Sequence, residues 1–73
     1  VINIKDERLI KSFGLKLREF RNAQGLSQEI LANLANMPLS QIGRIERGLI
    51  NPTLSTIGAL STALDIPIKD FFS

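Results

Sequence analysis

Between Pro38 and Gly48 the chain reads PLSQIGRIERG, and Ser40, Gly43, Arg44 and Arg47 can share one side of a helix. With Ile42 set at zero and about 100° per residue, Pro38, Ile45 and Leu49 fall within roughly 60° of it, while those four cluster opposite. One side is apolar and belongs against a core. The other carries two guanidinium groups, one hydroxyl and no large apolar side chain, a surface made to touch something polar. Covalent chemistry is not expected of it. The chain has no Cys and no His, so thiolate and imidazole metal ligands are missing. Without Tyr or a paired-carboxylate arrangement, general acid-base catalysis lacks its usual parts too. Neither an enzyme nor a cofactor is expected.

Holding that polar side outward requires neighbours. Residues 26–48, LSQEILANLANMPLSQIGRIERG, read as two short helices joined by a tight turn. Ser27 ahead of Gln28 and Glu29 has the look of an N-cap, because a hydroxyl accepts from an orphan amide and acidic charge suits that helix end. Ile30, Leu31, Leu34 and Ala35 recur at helical spacing and predict one apolar face. Asn36 tolerates left-handed backbone, which ends this helix. Pro38, with its fixed φ and missing amide, suits the first position of the next one.

Upstream, Asp6 predicts a cap for a first helix reaching about Gln24, with Leu9, Ile10, Phe13, Leu17 and Phe20 at helical spacing and Gly25 as its stop. Lys11 and Lys16 read as solvated charges on its other sides. Val1, Ile2, Asn3, Ile4 and Lys5 alternate in polarity. They form either a tail packed on the domain or an arm that pairs with the same arm of a second chain. Downstream, Leu49, Ile50, Asn51 and Pro52 form a loop, and Thr53 caps a fourth helix carrying Leu54, Ile57, Leu60 and Leu64. Asp65 breaks that pattern. Pro67 opens a last short helix whose Ile68, Phe71 and Phe72 close the core. The expectation is an all-α fold of five helices, with residues 1–12 as an arm and the start of the first helix, and residues 13–72 as the domain.

Seventy-three residues with 44% hydrophobic content make one small core, close to the size where packing alone is barely sufficient. A net charge of +2 and a pI near 9.5 give a mild basic bias, by itself weak evidence for nucleic acid. No apolar run approaches the ~20 residues of a membrane span, and no charged-then-hydrophobic leader is present. A cytoplasmic protein with no membrane partner is expected.

The LSQEILA segment, the PLSQIGRIERG helix and the following NPTLSTI together closely resemble the Cro/cI-type helix-turn-helix regulators, also called the xenobiotic-response-element family. The likeness covers roughly residues 13–72, and IERG followed shortly by Pro and Thr is its most specific part. It implies a compact lambda-repressor-like DNA-binding domain in which the first helix of the pair lies across the DNA backbone and the second enters the major groove. That groove is about 12 Å wide and admits one helix. Carried over position by position, Leu39, Ser40, Gly43 and Arg44 form the base-facing set. Arg44 leads it, since a guanidinium can bond O6 and N7 of one guanine; a phosphate contact or a solvated surface position is its alternative. Leu39 either packs against the turn or meets a thymine methyl.

Ser27 and Gln28 open the backbone-crossing helix as phosphate contacts, with capping as the alternative for Ser27. Gln41 flanks the groove helix and can reach phosphate as well. Arg47, with Arg18 and Asn51, is placed on the flanking strand, against a plain surface reading for each. Arg21 and Glu46 resemble the family's internal ion pair, a structural role. Two departures stand out: Pro38 replaces the usual Ser or Thr cap, and Leu49-Ile50 occupies a loop where relatives carry polar or cationic residues. The resemblance implies a homodimeric transcriptional regulator of double-stranded DNA. Phage-type repressor, restriction-system controller and antitoxin with a toxin partner remain open as roles. The competing reading, motivated by Leu39, Gly43, Leu49 and Ile50, is a helical protein-interaction module that keeps the fold without reading DNA.

Overall fold

A computed structural model of the protein describes residues 5–73, so the expected arm, apart from Lys5, lies outside the described residues. Four α-helices follow one another: α1 (Glu7–Ala23), α2 (Gln28–Leu34), α3 (Leu39–Glu46) and α4 (Leu54–Leu64). The fifth expected helix is instead a 3-10 helix, Ile68–Phe72. The Asp70 amide closes a tight turn on the Pro67 carbonyl at 3.0 Å, the three-residue closure that defines the 3-10 form.

The three predicted side-chain caps form. Asp6 accepts from the Leu9 amide at 3.0 Å, Ser27 from Ile30 at 3.0 Å and Thr53 from Thr56 at 3.1 Å. The far ends share a device. After α2, the Met37 amide bonds the Ala32 carbonyl at 3.0 Å around Asn36, whose φ is 55°. After α4, Ile66 bonds Ser61 at 3.0 Å around Asp65, also at φ 55°. Each left-handed residue reverses the chain while satisfying carbonyls that the helix end leaves open.

Phe13 and Leu17 of α1, Leu31 and Ala32 of α2, Ile42 and Ile45 of α3, Leu60 and Leu64 of α4, and Phe71 form one core. Phe71 seals it, its ring centroid 5.2 Å from Phe13 and 5.1 Å from Phe20, edge-on to the latter. Such tilted and edge-to-face pairs are the favoured aromatic geometries.

Several expected faces are displaced. Ile30 and Leu34 of α2 are exposed, and burial falls on Leu31 and Ala32 with Ala35 partly covered. α2 touches both α3 and α4. Leu9 and Leu54, near the starts of α1 and α4, also face outward. Pro38 is not the first helical residue: its ψ of 142° is extended, Leu39 begins α3, and no side chain caps it. Leu49 leaves the predicted wheel because α3 ends at Glu46 and Gly48 turns left-handed at φ +71°. Leu49 is therefore exposed, whereas Ile50 packs on the core.

Candidate nucleic-acid interface

Ile42 and Ile45 are essentially without solvent exposure, while Ser40 and Arg44 on the same helix are open. The polar side of α3 thus faces outward, and its setting is fixed from beneath. Gly14 of α1 is buried where a β-carbon would lie against the Ile45 carbonyl oxygen and 2.7 Å from that of Glu46. The backbones of α1 and α3 meet there, and only glycine permits it. The sequence reading passed over Gly14. A glycine inside an otherwise regular helix, at a cost of ~1 kcal/mol against Ala, was its one visible signal.

Beside this contact three elements converge on one carboxylate. Arg21 holds Glu46 with two bonds, Nε to Oε2 at 2.6 Å and Nη2 to Oε1 at 3.0 Å. Its Nη1 also donates to the Leu26 carbonyl at 2.8 Å, tying the end of α1 to the loop before α2. Arg18 Nε reaches Oε1 at 3.3 Å, and Gln28 Nε2 donates to the same oxygen at 3.0 Å. The Glu46 side chain is wholly covered. Burial pushes its carboxyl up, but the bonds from Arg21 and Gln28, the Arg21 charge and the Arg18 bond outweigh that and hold it below the ordinary carboxylate value. The bond to Glu46 raises Arg21 in turn. The expected ion pair is therefore present and larger than a pair.

That network changes two expected phosphate contacts. Gln28 spends an N–H on Glu46, and Arg18 is shared with it. Both side chains stabilise α3 as well as lying near its outer face. Gln28 Oε1 and Arg47 Nη2 each lie 3.8 Å from the position that a β-carbon on Gly43 would take. They flank a shallow notch over that glycine. Arg47 is held there by its own bond, Nε to the Gly43 carbonyl at 3.1 Å.

The remaining expected contacts are scattered. Leu39 is half exposed, as half-burial against the turn would leave it, and Gln41 is partly covered. Ser27 is exposed with its hydroxyl engaged as the cap. Arg18 and Arg47 share a cleft with Lys11, whereas Asn51 lines a different one with Leu9, Ile10, Phe13 and Phe72. Lys11 is exposed, as a solvated charge is expected to be, and lies seven residues from Arg18, about two turns along the same side of α1.

The family model described as "Helix-turn-helix" matches residues 17–71. This chain belongs to the Cro/cI-type helix-turn-helix family. Members of that family are DNA-binding transcriptional regulators. Among its relatives, the HTH-type transcriptional regulator PuuR of Escherichia coli (strain K12) is 37% identical over 60 residues, 82% of this chain and 32% of that protein. The control protein C.SmaI of Serratia marcescens is 40% identical over 52 residues, 71% of this chain and 62% of that one. This helix-turn-helix domain thus spans about a third of PuuR. Among solved structures, the restriction-modification controller protein C.AhdI of Aeromonas hydrophila superposes with a TM-score of 0.85 at 46% identity, over 92% of this chain and all of that one. No described helix of the domain is long and apolar enough to cross a membrane.

Proposed function

We propose that this chain is a sequence-specific regulator that binds double-stranded DNA as a homodimer, with α3 in the major groove of each half-site. The observation that carries the reading is the two-sidedness of α3: Ile42 and Ile45 are sealed in the core while Ser40 and Arg44 stand open beside the Gly43 notch. Leu39, Ser40, Gly43 and Arg44 face bases. Ser27, Gln28, Gln41, Arg47, Arg18 and Asn51 meet phosphates, with Gln28 and Arg18 doing so alongside their bonds to Glu46. Residues 13–72 are the binding domain.

One such module buries little surface, so two act together on half-sites about 34 Å apart. Of the apolar side chains in the last helix and the loop after α3, Ile68, Phe72 and Leu49 are exposed and can pair, whereas Ile66 and Ile50 pack on the core. Among the roles open to such a regulator, similarity to C.AhdI and C.SmaI favours a restriction-system controller over an antitoxin with a toxin partner. Its place is then the cytoplasm.

Selection of bound sequences from a random duplex library tests this. A two-fold symmetric site with half-sites one helical turn apart is the expected result. Recovery of no consensus, together with binding that ignores salt, would sink the reading, because phosphate-driven binding weakens steeply as salt rises.

A further inference from the structure

Lys11 and Arg18 of α1 and Arg47 at the end of α3 line one cleft, floored by Leu15 and by Glu46. Glu46 is the only carboxylate among the described residues that line it, and Arg21 neutralises that group through two bonds. The cleft is therefore cationic. Lys11 is fixed at its edge by its stem: a β-carbon on Gly48 would lie 2.6 Å from Lys11 Cγ and 3.1 Å from its Cα, so α1 and the end of α3 touch there. A cation beside the carbonyl end of α3 has a structural use, but that use needs one charge, and three converge. Arg47 joins the cleft to the outer face of α3, since its Nη2 lies 3.8 Å from the β-carbon position of Gly43.

We propose that this cleft seats a backbone phosphate of the duplex whose groove receives α3, with Lys11 as a contact contributed from outside the helix-turn-helix unit. The proposal rests on the DNA-binding reading above. Charge complementarity and continuity with the α3 face select the occupant, and the contact carries no base preference.

The test is Lys11→Met, which keeps the methylene stem against Gly48 and removes the charge. On labelled random duplex, its plot of log affinity against log salt is expected to be shallower by about 0.9 for one lost phosphate, so that affinity falls about 3-fold less than wild type between about 50 and 200 mM salt. The sequence selected from a random library stays the same. Lys16→Met serves as the control, because that ammonium lies elsewhere on α1, 5.8 Å from the Phe20 ring centroid, and its slope should match wild type. Lys11→Gln repeats the measurement if the Met variant does not fold. A slope equal to wild type overturns the proposal. Inorganic phosphate alone is the second arm: shifts of the Lys11, Arg18 and Arg47 resonances saturating at micromolar phosphate would make the cleft a free-anion site and overturn the DNA assignment. A wild-type protein that binds no duplex refutes the functional reading itself, whereas binding with an unchanged Lys11→Met slope refutes the cleft alone.

Discussion

Replacing Glu46 with Ala should nearly unfold the domain before it alters any DNA preference. The substitution removes the acceptor of four hydrogen bonds, two from Arg21 and one each from Arg18 and Gln28. Breaking one partner of a buried pair costs ~3 to 5 kcal/mol, because the other charge is stranded. Arg21 retains the Leu26 carbonyl and a 12% exposed side chain, which places its share near ~3 kcal/mol. The Arg18 side chain is 47% exposed and contributes ~0.2 to 1 kcal/mol, as solvent-screened pairs do. The sum is ~3 to 4 kcal/mol. A domain of this length holds only ~4 to 11 kcal/mol in total, so the urea midpoint should fall by ~2 to 4 M if the slope is ~1 to 1.5 kcal/mol/M. Denaturation followed by helical circular dichroism measures it. A double-mutant cycle then separates the partners: Glu46 should couple to Arg21 by ~2 kcal/mol or more and to Arg18 by under ~1. The reasoning is refuted if Glu46→Ala costs less than about 1 kcal/mol, or if the Arg18 coupling is the larger.

Acid should expose the same network. The folded Glu46 carboxyl sits below its ordinary value, so in the interval between the folded value and about 4.3 the unfolded chain binds the extra proton, and stability rises with pH. The contribution is fully present above about 4.3 and is lost as pH falls through the folded value; urea midpoints from pH 6 to 2 should be flatter for Glu46→Gln than for wild type. Gly14→Ala should lose ~1 to 2 kcal/mol: the atoms a β-carbon would meet are backbone, so overpacking falls at ~2 to 3 kcal/mol, the upper part of its usual range, against a helix-propensity gain of ~1 kcal/mol. A thermal midpoint at or above wild type would show that α1 and α3 have room to part. Arg44→Ala, exposed and without a side-chain bond among the described residues, should leave the urea midpoint unchanged within ~0.5 kcal/mol. In competition against single-base operator variants it should lose ~1 to 3 kcal/mol of discrimination at one base pair. Loss spread evenly over all variants would reassign Arg44 to a phosphate.

What the sequence displayed was mostly local. The caps at Asp6, Ser27 and Thr53 and the reversal at Asn36 depend on residues three or four apart, and each was readable before any fold was known. Burial of Ile42 and Ile45 followed from period alone. The misplaced residues share a different cause. Leu9, Ile30, Leu34 and Leu54 sit at correct helical spacing but are exposed. Periodicity gives an angle around an axis; it does not say how wide the facing partner is. Leu49 failed because a wheel was extended past Gly48, where the backbone turns left-handed. The 3-10 form of the last segment was hidden too, since α and 3-10 turns share nearly the same side-chain pattern over five residues.

The site was legible to the same depth. An outward polar face on α3 follows from spacing within eight residues, but the way it is held does not. Glu46 draws Arg18, Arg21 and Gln28 from 28, 25 and 18 residues away, and nothing in local pattern marks that convergence. Its geometry divides labour between two arginines that look interchangeable in sequence. Arg21 makes two short bonds and is almost covered; Arg18 makes one long bond and is half open. Drawing Arg18 toward a phosphate therefore costs under ~1 kcal/mol, while Arg21 keeps the carboxylate neutralised and α3 in register. A covered cation thus fixes the end of α3 from within, and a half-open one on a single long bond forms the outer edge of the same network.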